Sequence, residues 1–135
     1  MNRSKIGILT GGGDVPGLNS VIKSVVYRAT ELGREVVGIR RGWEGLTHMD
    51  PSAVDDSVYI WELTRENTRA IDRTGGTVLH TSRTNPSKML QAKLPPFYSQ
   101  QDLERFRFDE SIYDLTPMVL DNLEKRAAWL GTKLA

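Results

Sequence analysis

The first apolar run, Lys5-Ile6-Gly7-Ile8-Leu9-Thr10, stops at once on Gly11-Gly12-Gly13-Asp14-Val15-Pro16-Gly17, the pattern of a buried strand emptying into a tight loop. The spacing then changes: Leu18, Val21, Ile22, Val25, Val26 and Ala29 recur at intervals of three and four. This predicts a helix, with Asn19 or Ser20 as its cap and Gly33 as its stop. Glu35-Val36-Val37-Gly38-Ile39 follows, with the continuous apolarity of a parallel strand covered on both faces. Val58-Tyr59-Ile60-Trp61 reads either as a strand or as the start of a helix reaching Ile71, and the pattern does not choose. After Gly75-Gly76, Thr77-Val78-Leu79-His80 is expected to be a third strand that delivers Thr81-Ser82-Arg83-Thr84-Asn85-Pro86 to its carboxyl end. From Ser87 to Ser111 the chain is polar and reads as an inserted surface excursion, at about 87–111. Thr116-Pro117 opens a further helix, with Thr116 at the cap and Leu115 stapled against Leu120; Val119, Leu120, Leu123 and Ala127 form its buried stripe.

Strand, helix, strand is the unit of an α/β fold. The expectation is a three-layer, Rossmann-like, mostly parallel sheet with flanking helices, whose ligands sit beyond the carboxyl ends of the strands, at Gly11 to Gly17 and Arg40 to Gly45. The last helix has no strand after it, so the fold reads as truncated. Composition agrees with a single domain. The chain has 135 residues, 39% hydrophobic and 26% charged. Lys plus Arg number 18 against 17 acidic residues, a net charge of +1. That balance argues against a general nucleic-acid binder. The sequence has no cysteine and only two histidines, which leaves no disulfide framework and no closed zinc centre. The opening residues show neither a signal peptide nor a membrane span, so a cytoplasmic protein is expected.

Gly11 to Gly17 carries the strongest chemical signal. Glycines let a phosphate approach backbone N–H groups, and a helix start aims its positive end at the same place. A bare strand-to-helix turn would use the same residues. The loop lacks the Gly-Lys-Ser/Thr ending of a Walker loop, and Pro16 stands where the dinucleotide pattern needs its third glycine. Arg40-Arg41 replaces the acid that would hold a ribose, which keeps an NADP-binding oxidoreductase fragment open as a third reading. Trp43, between Gly42 and Gly45, suits either a base or the edge of the core. Arg83 has the planar fork that grips phosphate oxygens. His48 and His80 lack a paired acid or nucleophile; His80 is expected to be a core or edge histidine within its strand.

Taken together, these residues resemble the amino-terminal part of the 6-phosphofructokinase family. The matching runs are Ile6 to Asn19, Gly38-Ile39-Arg40-Arg41-Gly42-Trp43-Glu44-Gly45-Leu46, and Gly75-Gly76-Thr77-Val78-Leu79 with Ser82-Arg83-Thr84-Asn85-Pro86. The resemblance implies that residues 1–135 are a partial, phosphoryl-donor-binding domain. It further implies phosphoryl transfer from ATP or pyrophosphate to fructose 6-phosphate, giving fructose 1,6-bisphosphate, with Mg²⁺, in a protein that forms homo-oligomers at full length. Gly12 and Gly13 would lie at the donor phosphates, Trp43 near the nucleotide, and Arg83 with Thr84 on the donor. Lys23 and Tyr27 stand where effector-controlled members carry arginines on the first helix. The Gly-Gly-Asp and Thr-Ile-Asp-Asn-Asp type loops that hold the metal and the general base do not occur in the sequence, so the chain alone is expected to be inactive; a non-catalytic nucleotide- or phosphate-binding module is the alternative.

Overall fold

The structure, a computed structural model, describes residues 4–13, 15–50, 58–108, 111–121 and 124. Strand β1 (Lys5–Leu9) leads through the glycine loop into helix α1 (Leu18–Glu31), and β2 (Glu35–Ile39) returns beside it. The short helix α2 (Trp43–His48) follows, then β3 (Ile60–Leu63) and one turn of helix, α3 (Arg65–Thr68). The first sheet has the order β1-β2-β3. Its β1–β2 pair is parallel, with Ile6 opposite Val36 and Leu9 opposite Ile39, whereas β3 runs antiparallel to β2, with Ile39 opposite Ile60. The ambiguous run at Val58 is therefore resolved as a strand followed by a separate short helix. The protein is α/β and its sheet is mixed.

Strand alternation sorts the apolar side chains onto two faces. Val36 and Leu63 face α1, where Ile22, Val26 and Ala29 join them with Leu79, and Ile6 and Ile8 pack against this cluster. Ile39 faces the other way, into a cluster with Leu46, Met89, Tyr113, Leu115, Met118 and Val119. Each fully buried Val, Leu or Ile contributes about 1.5–3 kcal/mol relative to exposure. The predicted α1 stripe is thus narrower than expected: Val21 lies on the solvent side, 57% exposed. Gly33, at φ 68°, stops the helix as expected.

Two sequence expectations fail here for one reason. Asn19 does not cap α1; Gly17 holds that position at φ 94° with no side-chain cap. Asn19 is buried instead, its Nδ2 donating to the Thr74 carbonyl (3.0 Å) while its Oδ1 accepts the Val78 N–H (2.7 Å). Thr77–His80 is accordingly not a strand. The Val78 N–H goes to Asn19, the Leu79 N–H to Thr77 Oγ1 (3.2 Å) and the His80 N–H to the Thr77 carbonyl (3.2 Å). All three donors turn inward and none serves a ladder. His80 is exposed and sits at φ 59°, a turn residue and not a core or edge histidine.

Beyond Pro86, the stretch read as polar and irregular contains β4 (Met89–Leu90), a 3-10 turn (Gln91–Lys93), α4 (Gln100–Arg105) and, just past its end, β5 (Ile112–Tyr113), antiparallel to β4. Leu94, Tyr98, Leu103 and Phe106 pack against the Ile39 cluster, so this segment covers the sheet. Residues 116–121 are helical as expected, but Leu115 is fully buried while Leu120 is 60% exposed, and the expected staple and stripe fail at Leu120. Leu123 and Ala127 lie outside the described residues.

Candidate functional site

Three segments meet at the carboxyl ends of β1 and β2. Thr10 Oγ1 donates to the His80 carbonyl (2.8 Å) and so receives the proton of Thr77 Oγ1 (2.9 Å). The Gly12 N–H donates to the Ser82 carbonyl (3.3 Å), and the Arg41 N–H to the Leu79 carbonyl (2.8 Å). Ser82 Oγ in turn accepts the Glu44 N–H at the start of α2 (3.4 Å). These bonds tie the glycine loop, the α2 loop and the 79–82 run into one surface.

A cleft of about 490 Å³ opens on that surface, walled by Glu44, His48, Ser82, Arg83, Thr84, Asn85, Lys88, Met89, Leu90 and Lys93. The structure thus brings Arg83 and Thr84 into one wall. Gly12 and Gly13 are exposed beside this cleft without lining it, linked to it through the Gly12–Ser82 bond. A Cβ added at Gly11, Gly12 or Gly13 would meet nothing within 4 Å. Gly12 alone of the three has a left-handed backbone, at φ 81°. Trp43, 42% exposed, lines a separate, largely apolar slot of about 340 Å³ with Pro86, Val119 and Leu120; the slot adjoins the cleft through Asn85, a wall of both.

The glycines around Trp43 have a different explanation. A Cβ on Gly42 would lie 2.8 Å from the Thr10 carbonyl oxygen, and one on Gly45 would overlap the Arg40 carbonyl oxygen, so close packing demands both. Arg40 does not face a ligand loop: its guanidinium lies 4.2 Å from the Trp61 ring, and Nη1 donates to the Val58 carbonyl (3.4 Å). This takes Arg40 out of the role that motivated the NADP reading. His48 Nδ1 is engaged by Thr47 Oγ1 (2.9 Å) and the Glu44 carbonyl (3.2 Å). Among the described residues no group of three or more His, Asp or Glu side chains converges. No described helix is long and apolar enough to cross a membrane.

Sequence reasoning missed Asn19, the polar clamp, and Glu44, Lys88 and Lys93, three charged walls of the cleft. Asn19 could have been found as the single polar position on the apolar face shared by Ile22 and Val26. The lysines carry no such signal.

The cleft thus sets the cationic side chains of Arg83, Lys88 and Lys93 beside a glycine loop that follows the carboxyl end of β1. The family model described as "Phosphofructokinase" matches residues 5–109, and the chain belongs to that family. It is 44% identical over 88 residues to a pyrophosphate–fructose 6-phosphate 1-phosphotransferase of Dictyoglomus thermophilum, covering 65% of this chain and 23% of that protein. With an ATP-dependent 6-phosphofructokinase of Aquifex aeolicus it shares 44% identity over 87 residues, 64% of this chain and 24% of the relative. The solved phosphofructokinase of Saccharomyces cerevisiae superposes with a TM-score of 0.51 at 28% identity, over 62% of this chain and 10% of that one. The chain therefore spans about a quarter of the length of these curated relatives.

Proposed function

We propose that this chain supplies the phosphoryl-donor-binding part of a 6-phosphofructokinase, a cytoplasmic glycolytic phosphotransferase acting on fructose 6-phosphate. Its donor is ATP or pyrophosphate. Gly12 and Gly13 offer the phosphate its approach to backbone, Arg83 and Thr84 contact it, and Trp43 lies toward the base when the donor is a nucleotide. The observation that carries this reading is Arg83: it lines a concave cleft beside the glycine loop and, among the described residues, makes no ion pair or side-chain hydrogen bond. The second reading, a phosphate-binding module without turnover, draws on the lining of the cleft, where Arg83, Lys88 and Lys93 stand with the carboxylate of Glu44. Both readings make the isolated chain bind without turning over. A coupled assay with fructose 6-phosphate, Mg²⁺ and either donor is expected to stay at the protein-free blank.

Titration calorimetry of the 135-residue chain with ATP and pyrophosphate tests the donor site. Arg83→Ala is expected to weaken donor binding by about ten- to a hundredfold, the usual worth of a charge-assisted hydrogen bond. Arg83→Lys should recover only part, because a point charge does not reproduce the planar fork. Arg65→Ala, whose guanidinium lies against Tyr27 and Glu31 on α1, should leave affinity unchanged. Equal affinities for all four proteins would make Arg83 a solvated surface residue.

A further inference from the structure

We infer that His48 couples anion binding in the cleft to a proton: its imidazole is protonated when a dianionic oxyanion enters, so affinity rises as the pH falls. The inference rests on the donor-site reading above and adds the regulation of that same site. His48 ends α2 and lines the cleft, half-buried. Its ring is held by one nitrogen. Nδ1 lies 2.9 Å from Thr47 Oγ1 and 3.2 Å from the Glu44 carbonyl oxygen. Thr47 is fully buried, and its hydroxyl donates to that same carbonyl at 3.0 Å. With the Thr47 proton engaged there, both oxygens beside Nδ1 can only accept, so Nδ1 carries the hydrogen. This fixes the neutral tautomer. Nε2, without a hydrogen-bond partner among the described residues, keeps its lone pair.

The charged groups that share the cleft with His48 are Arg83, Lys88 and Lys93 from the segment after Leu79, and Glu44 one turn back on α2. Arg41 and Asp50, on either side of α2, lie outside the lining. Among these residue types only imidazole ordinarily changes its charge between about pH 5 and 8. The proton therefore goes to His48. In the empty cleft the three cations oppose a further positive charge and Glu44 favours it. A bound oxyanion tips that balance. Its oxygen meets a lone pair at a neutral Nε2 and a charge-assisted donor at a protonated one. Binding thus draws a proton onto Nε2, and by reciprocity a lower pH draws the anion in.

The probe is sulfate, a phosphate-sized dianion that keeps its charge across this range, whereas phosphate esters titrate within it. Calorimetry follows sulfate binding to the 135-residue chain from about pH 8 to about pH 5.5, the span of histidine's charge change, at fixed ionic strength. The variants are His48→Asn, whose amide can still donate to the Glu44 carbonyl, His48→Gln, Arg83→Ala and, as control, His80→Asn. Asparagine suits the left-handed backbone of His80, which does not line the cleft. Circular dichroism checks that each variant keeps its fold. The wild type is expected to bind about three- to tenfold tighter at the acid end, the worth of one partly screened charged contact. It should also take up protons on binding, read as a heat that changes with the ionisation enthalpy of the buffer. Both histidine 48 variants should lose the slope and the uptake, and His80→Asn should keep them. The chain has only two histidines, so nuclear magnetic resonance can follow each ring: sulfate should move the titration of His48 to higher pH and leave that of His80 in place. A slope that survives in folded His48→Asn or His48→Gln, or that disappears in His80→Asn, overturns the role of His48; Arg83→Ala still impaired at every pH leaves the donor reading standing. A folded wild type that binds neither sulfate nor pyrophosphate at any pH overturns both.

Discussion

Two groups of glycines sit at the same end of the sheet and do opposite things. Gly42 and Gly45 are packed shut: the space a side chain would need is filled by the Thr10 and Arg40 carbonyls. Gly11, Gly12 and Gly13 face open space, and of these only Gly12 is called for by its backbone, at φ 81°. The first group is glycine because the protein's own main chain approaches it. Packing among the described residues gives the second group no such reason, and the proposed donor site is a reading of that open space.

Gly45→Ala should show the largest effect. Its Cβ meets a backbone carbonyl and not a flexible side-chain end, so α2 must move off β2. The expected loss is about 3 kcal/mol, the upper end of overpacking costs. Gly42→Ala combines a backbone at φ 58° and ψ −135° with the approach to Thr10. Its loss should follow at about 2 kcal/mol. Gly13→Ala should change stability by less than about 0.5 kcal/mol, as an open position does. It should nevertheless weaken pyrophosphate binding by about tenfold, because the added methyl stands where the phosphate approaches. Urea unfolding and calorimetry on the three variants would measure both halves. A Gly45→Ala protein as stable as wild type, or a Gly13→Ala protein with unchanged affinity, would erase the distinction between the two groups.

In sequence the two groups look alike, and this shows where legibility ended. The β1, α1 and β2 run could be read because period and length agree: five apolar-rich residues, a break, then a three-and-four stripe. Thr77–His80 misled because its β-rich composition reflects burial of Leu79 against Gly38 and not ladder pairing, while the deciding partner, Asn19, lies 59 positions away from Val78. The segment after Pro86 was illegible for a related reason. Its elements are two to six residues long, too short to show a period, and they are held by contacts to Ile39 and Leu115 that no local pattern encodes. Arg83 and Thr84 could be placed from the strand-end argument and the family resemblance. Lys88 and Lys93 had neither, because exposed lysines in a polar stretch look the same whether or not they face a cleft.

The charges repeat the contrast between satisfied and open positions, and this yields the smallest prediction. On the α1 face Lys23 Nζ binds Asp72 Oδ1 at 3.1 Å and also lies 5.6 Å from the Tyr27 ring, so this cation is already engaged, unlike Lys88 and Lys93. The hydrogen bond from Lys23, helped by its charge, holds the Asp72 carboxyl below the ordinary aspartate range, as a bonded and paired carboxylate should be. A carboxyl whose folded value is depressed adds stability that is present above its unfolded value and disappears as pH falls through the folded one. Asp72→Asn should therefore lower the melting temperature slightly at pH 7, and the gap to wild type should close as the pH is taken down through the acidic range. The pair is partly exposed, so added salt should shrink the pH 7 gap too. Phosphate-donor affinity should not move, because this face is not part of the cleft. A gap that widens on acidification would reverse the sign of the Lys23–Asp72 contribution. Loss of pyrophosphate binding in Asp72→Asn would mean that the two charge groups are coupled and that the division between them is wrong.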